Sequence, residues 1–186
     1  MYTLCATEKT AQQQRTFEQT FLQMLLEMYY DEITISELCR RANLSRKIFY
    51  RLFDKKADVL YSLIDHTIIE SDAFVPDESV GPGDAHQFFA YWKANPALLD
   101  VLLKHQNSHL LTDRAIRFAM QEMSSPVRKF GKEEDQGSPE FIAFYISGIF
   151  SLLLLWHARG YDLSIDELSA ILVELLTTPA IPNFSI

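Results

Sequence analysis

Residues 34–60 read TISELCRRANLSRKIFYRLFDKKADVL, and this stretch decides the fold. Thr34 and Glu37 have the spacing of a capping box, in which a hydroxyl accepts a first-turn N–H and a carboxylate reaches back to the cap. The helix they open puts Ile35, Leu38, Cys39 and Ala42 on one face. Asn43-Leu44-Ser45 interrupts it. After Gly, Asn best tolerates a left-handed backbone, which suits a sharp helix-ending turn. Ser45 can cap a second short helix, from Arg46 to about Phe53, and a further helix starts at Lys56. Two short helices about a tight turn, the second bearing basic and aromatic side chains, make a helix-turn-helix pattern.

Charge agrees with that pattern. Between Arg40 and Lys56 stand seven basic residues and one acid, Asp54, a local net charge of +6 in a chain of net charge −8. A basic island in an acidic protein suits a surface that faces phosphates. Residues 61–186 carry 17 acidic and 8 basic residues, which excludes them as a nucleic-acid surface.

With these residues in view, the stretch resembles the DNA-binding domain of the tetracycline-repressor (TetR) family. The spacing of Ala42, Ser45, Phe49-Tyr50, Phe53 and Lys56 carries the likeness. Three positions depart from the family pattern: Asn43 stands where Gly is usual, Lys47 where a small residue is common, and Ile48 where many members have Thr. The resemblance implies an all-α chain of about nine helices. A DNA-binding domain would span residues 1–55 and a ligand-binding and dimerisation domain residues 56–186. It implies double-stranded DNA as partner, contacted by Thr34, Ser45, Arg46, Lys47, Phe49, Tyr50 and Lys56. Arg46 and Lys47 would reach base edges. Ser45, Tyr50 and the helix start at Lys56 would hold phosphates.

The rest of the chain reads as helices. Phe17, Phe21, Leu22, Leu25 and Met28 give a first helix, from about Thr10 to Tyr30, its core face. The helix from Lys56 continues to about Glu70 or Phe74, and a Pro- and Gly-rich loop follows at 75–84. Helices are expected over about 85–93, from an Asn95 cap and Pro96 through Leu98, Leu99, Val101, Leu102 and Leu103, over 108–130 with a bend near Ser125-Pro126, over 138–159 and over 164–177. A loop separates the helices at 131–138, and the tail past Pro179 is irregular.

Phe141 to Trp156 is a run of 16 residues without a charge, short of the roughly 20 that span a membrane. A helix apolar nearly all round has its own core on one side and a partner on the other. Phe141, Phe144, Gly148, Leu152, Leu155, Leu168, Ile171 and Leu175 are the expected homodimer interface, as pairing of the last two helices in TetR relatives implies. Phe88, Trp92, His105, Phe118, Tyr145 and Trp156 are candidates to line a pocket for an apolar or aromatic effector.

Two cysteines, Cys5 and Cys39, give no disulfide framework, and with no signal pattern the chain reads as cytoplasmic. His105 and His109 are four apart, but Gln106-Asn107-Ser108 breaks the helix between them, so no metal and no cofactor is expected. Without a phosphate loop, nucleophile elbow or Cys ligand set, the chain is not expected to be an enzyme. The function implied is a ligand-responsive transcriptional regulator, a repressor on a pseudo-palindromic operator. The alternative is a TetR-like coactivator or sensor working through a protein partner.

Overall fold

The computed structural model describes residues 7–71, 82–123 and 139–177, and among these every regular element is a helix. In chain order they are α1 (Glu8–Glu27), a 3-10 turn (Tyr30–Glu32), α2 (Ile35–Arg41), α3 (Arg46–Leu52), α4 (Lys56–Glu70), α5 (Pro82–Ala94), α6 (Ala97–Lys104), α7 (His109–Met123), α8 (Pro139–Ala158) and α9 (Ile165–Thr177). The all-α fold expected from the sequence is the fold observed. The 75–84 loop is described only from Pro82, where α5 already begins. The 131–138 loop, the bend at Ser125-Pro126 and the tail beyond Pro179 lie outside the described residues.

The chain packs as two units, 1–70 with 97–114, and 71–96 with 115–186. The division differs from the 1–55 and 56–186 split expected from the sequence, because α4 and α6 both pack against α1.

In the first unit α1 is the common surface, touching α2, α3, α4 and α6. Phe17 and Phe21 are fully buried. The Phe17 ring meets Phe49 edge-on at 5.5 Å and Phe53 at 6.0 Å, an arrangement aromatic rings favour. Polar groups pair α1 with α4. The Glu18 carboxylate, with no solvent exposure, accepts from the Ser62 hydroxyl and lies 2.8 and 2.9 Å from His66 Nδ1. Arg15 adds a contact at 3.2 Å, and Gln14 donates to Ser62 at 2.6 Å. At the far end of α1, α6 supplies the cap: Lys104 Nζ donates to the carbonyls of Leu25 and Leu26, at 3.2 and 2.7 Å, and His105 Nε2 to Leu25 at 3.0 Å. A cation there suits the negative end of the helix.

In the second unit α5 packs along α9. Phe88, Phe89, Trp92, Phe150 and Trp156 form one aromatic core, with Phe89 and Trp156 centred 5.6 Å apart. Trp156 Nε1 donates to the Leu163 carbonyl at 2.9 Å, and Ser164 with Glu167 forms the expected capping box ahead of α9. Asn95 does not cap α6 as expected; its side chain donates backward to the Tyr91 carbonyl and closes α5.

Glu18→Ala leaves Ser62 and His66 facing a void in place of their acceptor. It should destabilise the protein by about 3 kcal/mol, read as a fall in the denaturant midpoint, with Glu18→Gln costing less.

Candidate nucleic-acid interface

Local chemistry builds the α2–turn–α3 segment as the sequence indicates. Thr34 Oγ1 accepts the Glu37 N–H at 3.1 Å. The turn places Asn43 at φ 53°, and the Leu44 N–H closes back on the Cys39 carbonyl at 3.0 Å, the 6→1 bond that ends many helices. Ser45 Oγ accepts the Ile48 N–H at 3.3 Å and opens α3. Cys39 is buried as the sequence suggests.

Half of the expected capping box is replaced. The Glu37 carboxylate binds Arg40 Nε and Nη2, at 2.8 and 2.6 Å, and Arg41 Nε at 3.0 Å, instead of its own cap. These hydrogen bonds, Arg40's first, pull the Glu37 carboxyl from 4.5 down to about 2. A lowered carboxyl stabilises the fold above its unfolded value, so this contribution is complete above about pH 4.5 and lost as pH falls toward 2.

The seven basic residues of the island therefore differ in what they can offer a phosphate or a base. Arg40 and Arg41 are held by Glu37, and Arg41 also by Glu27. Arg51 donates to Gln13 Oε1 at 2.6 Å. Arg46, Lys47 and Lys55 are exposed. The Arg46 guanidinium lies 5.9 Å from the centre of the exposed Tyr50 ring, and a hydrogen bond with Tyr50 holds its pKa above the ordinary arginine value.

Two sequence assignments are corrected. Phe49 has no solvent exposure and packs inward on Phe17, so it cannot meet DNA. Lys56 does not extend its ammonium outward. Its Nζ donates to the carbonyls of Tyr30 and Ile33, at 2.6 and 3.0 Å, and sits 4.2 Å from the Tyr30 ring centre. The Asp58 carboxylate, buried beside it, accepts the N–H groups of Asp54 and Lys55 at 3.1 and 3.2 Å. An anion at that helix start would meet a fixed negative charge. Thr34, Ser45, Arg46, Lys47, Tyr50, Arg51 and Lys55 are among the exposed residues of the segment.

The six proposed effector residues divide between the units. His105 belongs to the first, while Phe88, Trp92, Phe118, Tyr145 and Trp156 belong to the second. Phe88, Trp92 and Trp156 are core residues, whereas Phe118 and Tyr145 are half-buried. Burial pushes the Tyr145 hydroxyl up to about 12. Trp92 Nε1 is the one side-chain polar atom buried without a hydrogen-bond partner among the described residues.

Of the expected interface residues, Phe144, Gly148, Leu155, Ile171 and Leu175 are exposed and Leu152 half-buried, while Phe141 lies outside the described side chains. Leu168 is 1% exposed within its own unit, so it is core and not available to a partner. On α8 the exposed positions Phe144, Gly148, Ser151 and Leu155 follow one another at helical spacing and make a continuous stripe. Among the described residues no group of three His, Cys, Asp or Glu is placed to hold a metal. No described helix is long and apolar enough to cross a membrane.

No family model and no curated protein matches the chain. Solved structures do. Lin0861 from Listeria innocua superposes with a TM-score of 0.70 at 18% identity, covering 94% of each chain. A TetR transcriptional regulator from Streptococcus agalactiae gives 0.58 at 15%, covering 90% of this chain and 95% of the other. The dihydroxyacetone kinase operon activator DhaS gives 0.56 at 18%, covering 88% and 93%. The chain has the fold these regulators share, a helix-turn-helix segment set on a helical body.

Proposed function

We propose that this chain is a DNA-binding transcriptional regulator, a homodimeric repressor that binds a pseudo-palindromic operator and answers to a small apolar or aromatic effector. The observation that carries the reading is α3. A short, Ser45-capped helix exposes Arg46, Lys47 and Tyr50 in a protein of net charge −8, within a fold shared with transcriptional regulators. Residues 1–55 present these groups and 56–186 form the regulatory body.

In this mechanism the first turn of α3 enters the major groove. Arg46 reads guanine, whose two acceptors face that groove, and Tyr50 stacks beneath it to hold its direction. Lys47 reaches base edges beside Arg46, while Thr34, Ser45 and Lys55 meet the backbone. Lys56 acts from inside by fixing the 3-10 turn ahead of α2.

The stripe on α8, with Ile171 and Leu175 on α9, supports pairing with a second copy. The buried indole N–H of Trp92 supports an effector in the second unit. A buried donor left unmet costs about 1–3 kcal/mol, and an acceptor on an effector would relieve it.

Three measurements test the reading. In anisotropy titrations against the DNA flanking its own gene and a scrambled duplex, the wild type should prefer the former. Arg46→Ala should lose about 1–3 kcal/mol on that duplex and much less on the scrambled one. Equal, weak binding of the wild type to both would favour the partner-protein reading instead.

Lys56→Met should behave differently. It strips two carbonyls of a charged donor and should lower stability by about 1.5–3 kcal/mol in denaturant titration. A purely phosphate-binding lysine would leave stability unchanged and reduce the salt slope of DNA binding.

Gly148 is exposed, with nothing within 4 Å of an added Cβ, so the protomer has room for an arginine there. Gly148→Arg should turn a sedimenting dimer into a folded monomer by placing an unpaired charge in the seam. A wild type already monomeric at micromolar concentration removes the dimer from the mechanism.

A further inference from the structure

An open cleft of about 620 Å³ lies within the first unit. Tyr29, Tyr30, Ala57 and Tyr61 line it together with His105 and Asn107 of the α6–α7 turn, the Tyr29 and His105 rings meeting edge-on at 5.9 Å. Its volume is within the range of small-molecule sites, and its lining sets three tyrosine rings among polar side chains, Lys104, Gln106, Asn107 and His109 included. It is separate from the aromatic core of the second unit, where most of the effector residues expected from sequence reside.

The groups around it select a class of ligand. Each tyrosine ring already has a cation of the protein near it: Lys104 6.0 Å from the centre of Tyr29, Lys56 4.2 Å from Tyr30, and Arg114 5.4 Å from Tyr61. A cationic molecule would meet three like charges on the rings that would otherwise attract it. Among the lining residues Asp31 and Lys104 offset one another, and Arg114 is already held by Asp65, so an anion finds little net charge to attract it. An uncharged molecule meets no such repulsion and needs no such attraction.

His105 adds a directional demand. Its Nε2 stands 3.0 Å from the Leu25 carbonyl, which can only accept, so that nitrogen carries the proton. In the neutral ring Nδ1 is then an acceptor and asks for a donor. An aromatic hydroxyl supplies that donor together with a flat face for the tyrosines.

We infer that this cleft binds a small, neutral, planar molecule bearing an aromatic hydroxyl. The same imidazole caps α1 through Nε2, so a donor at Nδ1 polarises the Nε2–H bond to Leu25 and tightens the hold of α6 on α1. The regulatory consequence rests on the proposed DNA-binding function; the binding itself does not.

The test is a titration of the full-length, 15N-labelled chain without DNA, using 4-hydroxybenzamide, benzamide and tyramine as probes. The neutral phenol should shift the amides of residues 29–31 and 105–110 saturably, with a dissociation constant of about 1 mM, ordinary for so small a ligand. Benzamide, lacking the hydroxyl, should bind about five-fold more weakly, and tyramine at least as poorly. Ala57→Trp, which fills the cleft, and His105→Phe, which removes the acceptor, should each weaken binding about ten-fold. His105→Phe decides the matter if Ala57→Trp does not fold. No saturable shift by about 10 mM, tyramine binding as tightly as the phenol, or undiminished binding to a folded variant overturns the inference. Because no DNA is present, failure of operator binding leaves this result standing. Operator binding without a cleft response overturns the cleft alone.

Discussion

A carboxylate with no exposure to solvent, Glu18, holds α1 against α4, and the placement of the remaining helices of its unit depends on that contact. A buried charge is costly unless its lone pairs are met, and here Ser62, His66 and Arg15 meet them. Apolar packing alone tolerates small slips of one helix along another. Hydrogen bonds to a single carboxylate do not, because their strength falls steeply with angle and distance. Rotation and register of α4 on α1 are thereby set. Phe17, one residue before Glu18, carries the setting to α3 through Phe49 and Phe53.

Charge counted along a sequence overstates charge available at a surface. The island around α2 and α3 has a formal net of +6, yet Glu37 and Glu27 hold two of its arginines and Lys56 is directed inward. What remains concentrated is the start of α3 and the residue before α4. Concentration favours orientation: a few exposed cations beside a helix N-terminus give a directional field, where seven spread evenly would give a diffuse one.

Features that depend on neighbours in the chain were legible in the sequence. The caps at Thr34, Ser45 and Ser164, the turn at Asn43 and the extent of α8 follow from spacing and backbone preference, and they stand where expected. Features that depend on competition between distant groups were not. Nothing local says that Glu37 prefers two guanidiniums to its own cap, or that Lys56 finds carbonyls 23 and 26 residues away. Phe49 and Tyr50 are adjacent aromatics in a basic helix, and only the position of α1 shows that one is core and the other surface. Leu168 is core for a reason equally hidden from the sequence: an apolar stripe on α9 does not announce which of its residues its own unit covers. Nor does sequence order reveal that α6 joins α1, which sets His105 apart from the aromatics of the second unit.

Three helices end by one device, a 6→1 bond closing over a residue with positive φ: Asn43 after α2, Gln106 after α6 and Gly160 after α8. Asn and Gly adopt that backbone readily; Gln carries a Cβ penalty of roughly 1–2 kcal/mol without the short polar side chain that helps Asn. The turn at Gln106 thus persists because its surroundings hold it. Lys104 and His105, the two residues before it, are anchored on the end of α1, and the Asn107 N–H returns to the Leu102 carbonyl at 2.8 Å. The strained residue therefore joins two fixed points, and releasing the α1 cap would remove one of them. A turn held in this way responds to small changes at the cap more sharply than one closed by Gly, whose backbone is content in either setting.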